Sequence, residues 1–215
     1  MSAPNAPPEL TASGSPATII EFLYYAVNRY ASKRGQTPGS NCWYIASCSI
    51  AVYMNLRIFV NKYEQDLVLV RDGEVTQFLD RFFKQVEEWL GQELIRRVIL
   101  VIVSKNTGKT LERWVFNLEP HDGPTHLDKI QHKIQATLKQ LKATIPIFPD
   151  IKEPTIFNLL AVKKDEDQSS ELPTSQKWVD AHPHSIPTEI RDQTAMRGFN
   201  TRDAKVDINV VYLDQ

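Results

Sequence analysis

The sequence predicts an α+β domain, a mainly antiparallel sheet with three helices packed on one of its faces. Three observations predict it. Apolar residues recur at helical spacing in three separate stretches. A long hairpin pattern stands between the second and third of them, its first arm apolar on both faces and its second arm alternating. The order of elements is helix, strand, helix, hairpin, helix, strands and a loop-rich tail, with no internal repeat.

The chain has 215 residues, the size of one domain, and is 42% hydrophobic and 24% charged. Its 25 basic and 26 acidic residues leave a net charge of −1. That balance argues against a nucleic-acid partner, because counterion release needs a basic surface. The longest nearly unbroken apolar run, residues 45–56, is too short for a bilayer, which takes about 20 residues. No secretory signal opens the chain, and two cysteines, Cys42 and Cys48, make no disulfide framework. The reading is an intracellular, reduced protein without a membrane span.

Residues 1–14 are rich in Pro, Ala and Ser, which predicts a disordered segment. A single domain then covers 15–215. Ser15-Pro16 starts the first helix: serine caps free amides, and proline at the first helical position costs no hydrogen bond. Ile19, Leu23, Ala26, Val27 and Tyr30 form its apolar stripe, Phe22 and Tyr24 widen it, and Gly35 stops it. Residues 39–55 are uncharged and hold both cysteines, a pattern compatible with a buried strand or hairpin. Tyr63 to Val70 reads as a strand. Asp72 caps a second helix whose core face is Val75, Phe78, Leu79, Phe82, Val86 and Trp89, and Gly91 is the expected left-handed stop.

Leu94 to Val103 is the apolar hairpin arm. Residues 104–109 supply turn chemistry. The returning arm, Thr110 to Glu119, sets Trp114, Phe116 and Leu118 on one face and Arg113, Asn117 and Glu119 on the other. The third helix, about Thr125 to Lys142, places Leu127, Ile130, Ile134, Leu138 and Leu141 inward. Thr144 to Phe148 and Thr155 to Val162 are strand-like. A polar linker, Lys163 to Leu172, leads to Trp178 and the tail, where Ile208, Val210 and Tyr212 share one side of a strand.

Enzyme signatures are weak. Asn106-Thr107-Gly108-Lys109-Thr110 looks like the end of a phosphate loop, but position 103 is Val where that loop needs glycine, and a strand follows instead of a helix. His121, His126, His132, His182 and His184 form no metal-ligand spacing, and Asp165-Glu166-Asp167 lies in the linker. No catalytic group, metal site or cofactor site is expected.

The run Leu111-Glu112-Arg113-Trp114-x-Phe116 after the hairpin turn resembles the central hairpin of HORMA domains, and within them the mitotic-arrest-deficient checkpoint branch. The resemblance spans about residues 15–212. It includes Glu21-Phe22, Asn28, Arg34-Gly35 with Pro38, Lys62-Tyr63, Trp89-Leu90, Ala143-Thr144, Phe148-Pro149 and Lys177-Trp178. It ends in R-x-F-x-T-x-x-x-K-V-x-x-x-V-x-Y, which runs from Arg197 to Tyr212.

The resemblance implies a HORMA-like fold with a mobile C-terminal safety belt, and a non-enzymatic spindle assembly checkpoint adaptor that inhibits the anaphase-promoting complex through its activator. It implies an edge strand that receives a partner peptide: Thr155, Ile156, Phe157, Asn158, Leu159, Leu160, Ala161 and Val162. The belt, within residues 156–215, carries Trp178, Arg197, Phe199, Thr201, Lys205, Val206, Val210 and Tyr212, crosses the peptide and pairs on the other side of the sheet. Implied partners are peptides of a coiled-coil kinetochore receptor and of the activator, and an open–closed homodimer docked through Arg34, Lys139 and Gln140. Lys139 stands where the branch usually has arginine, so a bidentate contact is lost. Glu112, Arg113 and Trp114 mark the hairpin, and Glu112 is expected to pair with Arg197. Nucleus, kinetochore and cytoplasm are the implied locations. Residues 39–55 depart from the family pattern, as a lineage-specific insertion or a retained intron carried in the gene model. Two other readings are a HORMA accessory subunit of a translesion DNA polymerase and a small nucleotide-binding enzyme using the 106–110 turn.

Overall fold

The computed structural model describes residues 16–34, 37–38, 57–70, 72–121, 127–164, 178, 184–188, 191–202 and 204–213. The N-terminal segment 1–14, the Ser15 cap, the 39–55 departure and the acidic linker lie outside the described residues.

Apolar periodicity accounts for the helices. The first, α1 (Pro16–Arg34), buries Ile19, Phe22, Leu23, Ala26, Val27 and Tyr30, and also Ile20, Tyr25 and Ala31, so it is enclosed nearly all round. A short strand, β1 (Thr37–Pro38), follows. Next come β2 (Arg57–Lys62) and β3 (Gln65–Val70), an antiparallel pair separate from the main sheet. In α2 (Gly73–Gly91) the Asp72 carboxylate accepts from the amides of Glu74 and Val75, each at 3.0 Å, as its sequence position predicts.

The sheet core is β4 (Ile95–Ser104) and β5 (Thr110–Pro120). Then follow α3 (Leu127–Thr144), β6 (Thr155–Lys163), β7 (Arg191–Asn200) and β8 (Ala204–Leu213). The six-stranded order is β1-β6-β4-β5-β8-β7, antiparallel throughout except β1 against β6.

The main core lies between helices and sheet. Val98, Leu100 and Ile102 of β4 and Trp114, Phe116 and Leu118 of β5 meet the inner faces of α1, α2 and α3 there. On the opposite face Ile99, Val101 and Val103 make a smaller cluster with Val115, Ile156, Leu160 and Val162. Both faces of β4 are therefore buried, as its unbroken apolar run requires.

Three local expectations are corrected. The strand placed at Tyr63 begins at Gln65, because Tyr63 and Glu64 are the hairpin turn, with φ of 51° and 53°. A type I′ two-residue turn takes positive φ at both central residues, usually as Asn-Gly, so Tyr-Glu leaves no sequence signal for the turn or for β2. The turn is held instead from α1: the Tyr63 hydroxyl donates to Glu21 at 2.7 Å and Lys62 ion-pairs with the same carboxylate. The second helix ends at Gly91 as expected, but the left-handed residue that follows a helix end is Glu93, φ 56°, and not the glycine. Thr144 to Phe148 is no strand: α3 runs to Thr144 and one 3₁₀ turn, Ile145–Ile147, follows. Pro146 has no N–H for a ladder and fits the start of a helical turn.

Candidate functional site: the β6 edge and the C-terminal segment

Site construction starts with β6. Its inner side pairs antiparallel with β4 from Thr155 opposite Ser104 to Lys163 opposite Ile95. Phe157 and Leu159 face the helices, with the Phe157 ring 6.0 Å from Phe78 of α2. Ile156, Leu160 and Val162 face the other way. Asn158 is buried on that second face, and its Oδ1 meets no hydrogen-bond donor among the described residues. The outer edge carries β1 only at Ile156 and Phe157. Among the described residues, Asn158 to Lys163 has no strand on that side.

Past β6 the C-terminal segment is anchored at separated points. Trp178 lies against two rings of α2, Phe82 at 5.5 Å and Trp89 at 4.6 Å. The His184 ring nitrogen Nδ1 is 3.2 Å from the Thr110 hydroxyl at the hairpin end of β5. Ile186 is buried, and its carbonyl accepts from Arg191 at 3.4 Å. From there β7 and β8 form a hairpin on the β5 side of the sheet, the edge opposite β6. Glu112 to Pro120 of β5 pairs with Tyr212 to Ala204 of β8.

The belt residues have distinct positions. Phe199 packs edge-on to Phe22, 4.8 Å between ring centres. The buried Thr201 closes the β7–β8 turn: its hydroxyl accepts from the Ala204 amide at 3.1 Å, and its own amide donates to the Ala204 carbonyl at 2.8 Å. Val206 and Val210 are core residues, Lys205 ion-pairs with Asp207 and Glu119, and Tyr212 lies 4.8 Å from Phe148. The carboxylates of Asp207 and Glu119 hold the Lys205 ammonium pKa above its ordinary value. Gly198 sits in a bulge so close to β8 that a Cβ there would stand 2.1 Å from the Val206 carbonyl oxygen. Because Phe199, Val206, Ile208 and Val210 are core side chains, the hairpin completes the core of this structure as well as its sheet edge.

Hairpin residues divide by face. Glu112 is 3% exposed and faces the helices, where it accepts from the Tyr30 hydroxyl and from Trp114 Nε1 at 3.3 Å. Its expected partner Arg197 is elsewhere. Glu112 is level with Tyr212, which is level with Asp192, and Arg197 lies five residues further along β7. At about 3.3 Å per residue that is roughly 16 Å, too far for a pair. The exposed Arg197 instead gives its backbone N–H to Gln140 Oε1 of α3 at 2.9 Å. Arg113 lies on the outer face, where burial and then the nearby Arg97 and Arg191 lower its guanidinium pKa. Of the expected docking face, Gln140 is thus engaged with β7, Lys139 is exposed on α3, and Arg34 ends α1.

The turn at 104–109 is built as a turn. The Ser104 hydroxyl accepts from the amides of Asn106 at 3.2 Å and Thr107 at 3.1 Å, and Gly108 takes φ 69°. Those amides are consumed locally, and β5 follows where a phosphate site needs a helix N-terminus. Among the described residues no group of three or more metal-type ligands occurs, and no helix is long and apolar enough to cross a membrane.

This geometry has close counterparts. The chain is 31% identical over 208 residues to the mitotic spindle checkpoint component mad2 of Schizosaccharomyces pombe, covering 93% of this chain and 92% of that protein. The chain belongs to the Mad2 family of spindle-checkpoint proteins. The human mitotic spindle assembly checkpoint protein MAD2A is 26% identical over 94% of this chain and 92% of its own length. A chain in the crystal structure of a mitotic checkpoint complex superposes with a TM-score of 0.76 at 31% identity, covering 94% of this chain and all of that one. Caenorhabditis elegans HTP-2, solved bound to the HIM-3 closure motif, shares the HORMA fold alone: TM-score 0.71 and 6% identity, over 92% of this chain and 91% of that one. No family model matches the chain. The Mad2 relatives favour neither the polymerase-subunit nor the nucleotide-enzyme reading.

Sequence reasoning missed Tyr30 as the partner of Glu112, Thr110 as the partner of His184, and β7 as a strand. Only β7 had a signal to find, and it was weak: three of its ten residues, Thr194, Met196 and Gly198, alternate toward less exposed positions before the bulge resets the register.

Proposed function

We propose that this Mad2-family chain serves the spindle assembly checkpoint as a non-enzymatic adaptor that captures a short partner peptide on the open edge of β6, beneath the C-terminal segment. The observation that carries the reading is the outer edge of Asn158–Val162, against which no strand pairs among the described residues, bracketed by the Trp178 anchor on α2 and the β7–β8 hairpin on β5. An exposed strand edge offers a row of backbone donors and acceptors to an added strand. Mad2 relatives and a mitotic checkpoint complex support the pathway, and the closure motif bound to HTP-2 supports a peptide as ligand. The partners proposed are a coiled-coil kinetochore receptor and the activator of the anaphase-promoting complex, met in the nucleus, at kinetochores and in the cytoplasm. Arg34, Lys139 and Gln140 remain the proposed docking face for a second copy.

Affinity purification from mitotically arrested cells tests this, run with the wild-type chain and with Trp178→Ala. The wild type recovers the activator and the receptor. Trp178→Ala removes a ring that packs on Phe82 and Trp89, so it keeps a cooperative melt and loses at least about tenfold of the recovered partner. Recovery of a polymerase catalytic subunit without the activator would overturn the assignment.

A further inference from the structure

Asn158 is the exception on its face of β6. The residue is 7% exposed, and its Oδ1 is buried without a hydrogen-bond donor among the described residues. The side chains that the register sets around it are hydrocarbon. Ile156 and Leu160 precede and follow it on that face, Val101 of β4 stands level with it, and Ile99 and Val103 are its diagonal neighbours. None of these five can donate to it. A buried acceptor left unpaired costs free energy that an apolar side chain in the same place would not. One direction remains. On the outer edge no strand pairs with Asn158 among the described residues. A strand added there brings the side chain level with Asn158 onto the same face, about 5 Å away.

We propose that Asn158 is a specificity-determining residue: its Oδ1 accepts a hydrogen bond from a side chain of the captured strand, so one position of the partner peptide must carry a donor. The inference rests on the peptide-capture reading above and deepens it. The side chains that can supply the donor are Ser, Thr, Asn, Gln, Lys and Arg. An apolar side chain at that position leaves the oxygen unpaired beneath a closed edge, which is the costly arrangement. The next residue of the captured strand on the same face, two along, meets Leu160 and is apolar. The sequence mark of a partner is therefore a donor and an apolar residue separated by one position. In the free chain the unpaired oxygen is a stability cost, and the bound peptide relieves it. That is the reason an amide stands where the surrounding hydrocarbon favours leucine.

Two measurements on the full chain test this. The first is chemical denaturation without peptide, comparing the wild type with Asn158→Leu. Leucine keeps the branched shape and removes the unpaired acceptor, so the midpoint rises. A midpoint that stays or falls shows that the oxygen is satisfied in the free chain and overturns the proposal. The second is a positional scan of a synthetic 20-residue peptide from the partner recovered in the purification above, with Ser, Asn, Lys, Val and Leu placed in turn at each position. In the wild type one position favours the three donors over Val and Leu by about tenfold. In Asn158→Leu the preference disappears at that position alone, and the rest of the profile is kept. Asn158→Asp, both of whose oxygens accept, keeps the preference and turns it toward Lys; loss of the preference in this variant overturns the acceptor role. The same profile in the wild type and in Asn158→Leu overturns the donor reading and leaves capture intact. A peptide set that binds neither protein overturns both.

Discussion

Strand β4 and the hairpin β7–β8 belong to one sheet and obey opposite rules. Every residue of β4 from Val98 to Ser104 is buried, with Val101 at 0% exposure, and the two apolar faces enter different clusters. β8 alternates, with Ala204, Val206, Ile208 and Val210 inward and Lys205, Asp207 and Asn209 outward or half-buried. β7 is mostly exposed, with Met196 and Phe199 its buried residues. A strand buried on two faces has one place in the molecule where both are satisfied. A hairpin buried on one face needs only a single apolar surface and a free strand edge, so it commits less to its position. The difference fits the proposed division into a permanent scaffold and a segment that opens to admit a peptide.

The contrast breaks most sharply at Trp114, which is fully buried beneath α1 with Tyr30 at 5.3 Å and Phe148 at 5.5 Å. Trp114→Ala should cost about 3–5 kcal/mol in chemical denaturation, because cavity and lost transfer energy add. A loss below about 1 kcal/mol would mean that the hairpin scaffold is no firmer than the belt.

Alkali attacks the scaffold side next. Burial, then the charge of Asp80, pushes the Tyr24 phenol up to about 12. Burial followed by Glu21 raises Tyr25, and burial followed by the Glu21 hydrogen bond raises Tyr63. Each folded-state value lies above the unfolded one, so the stabilisation is complete below the unfolded pKa of 10.0 and is lost as pH rises through the folded values. Two units at Tyr24 correspond to about 2.7 kcal/mol at most. Denaturation midpoints between pH 9 and 12 should fall steadily with these three tyrosines in place, and replacing Tyr24 with Phe should flatten the slope. A slope unchanged by Tyr24→Phe refutes the assignment.

The smallest effect belongs to the belt. Gly198→Ala sets a methyl group against the Val206 carbonyl, backbone that cannot swing aside, so β7 must shift off β8 at a cost of about 1–3 kcal/mol. Exchange protection should fall in β7 and the β7–β8 turn, while β4 keeps its protection. Equal loss in β4 would join the two regions into a single cooperative unit and remove the contrast.

Much of the scaffold was legible in the sequence. The helices, the Asp72 cap, the β4–β5 hairpin and its two faces follow from spacing alone, because a helix or a central strand answers to neighbours a few residues away. The site was legible only in outline. Resemblance located β6 and the tail, yet the Tyr63-Glu64 turn, the pairing of Thr37–Pro38 with β6 and the separation of Arg197 from Glu112 left no local mark.

The sequence by itself determined which segments must be buried and with what period, since burial of apolar area is a property each stretch carries with it. Only the tertiary structure decided which edge of the sheet β8 occupies, that Tyr30 and not Arg197 meets the buried Glu112, and that Thr37 and Pro38 lie along Ile156 and Phe157 of β6. Backbone donors and acceptors are the same at every residue. Which of them remain open depends on how the whole chain is packed, and on this protein's proposed function that is where the partner binds.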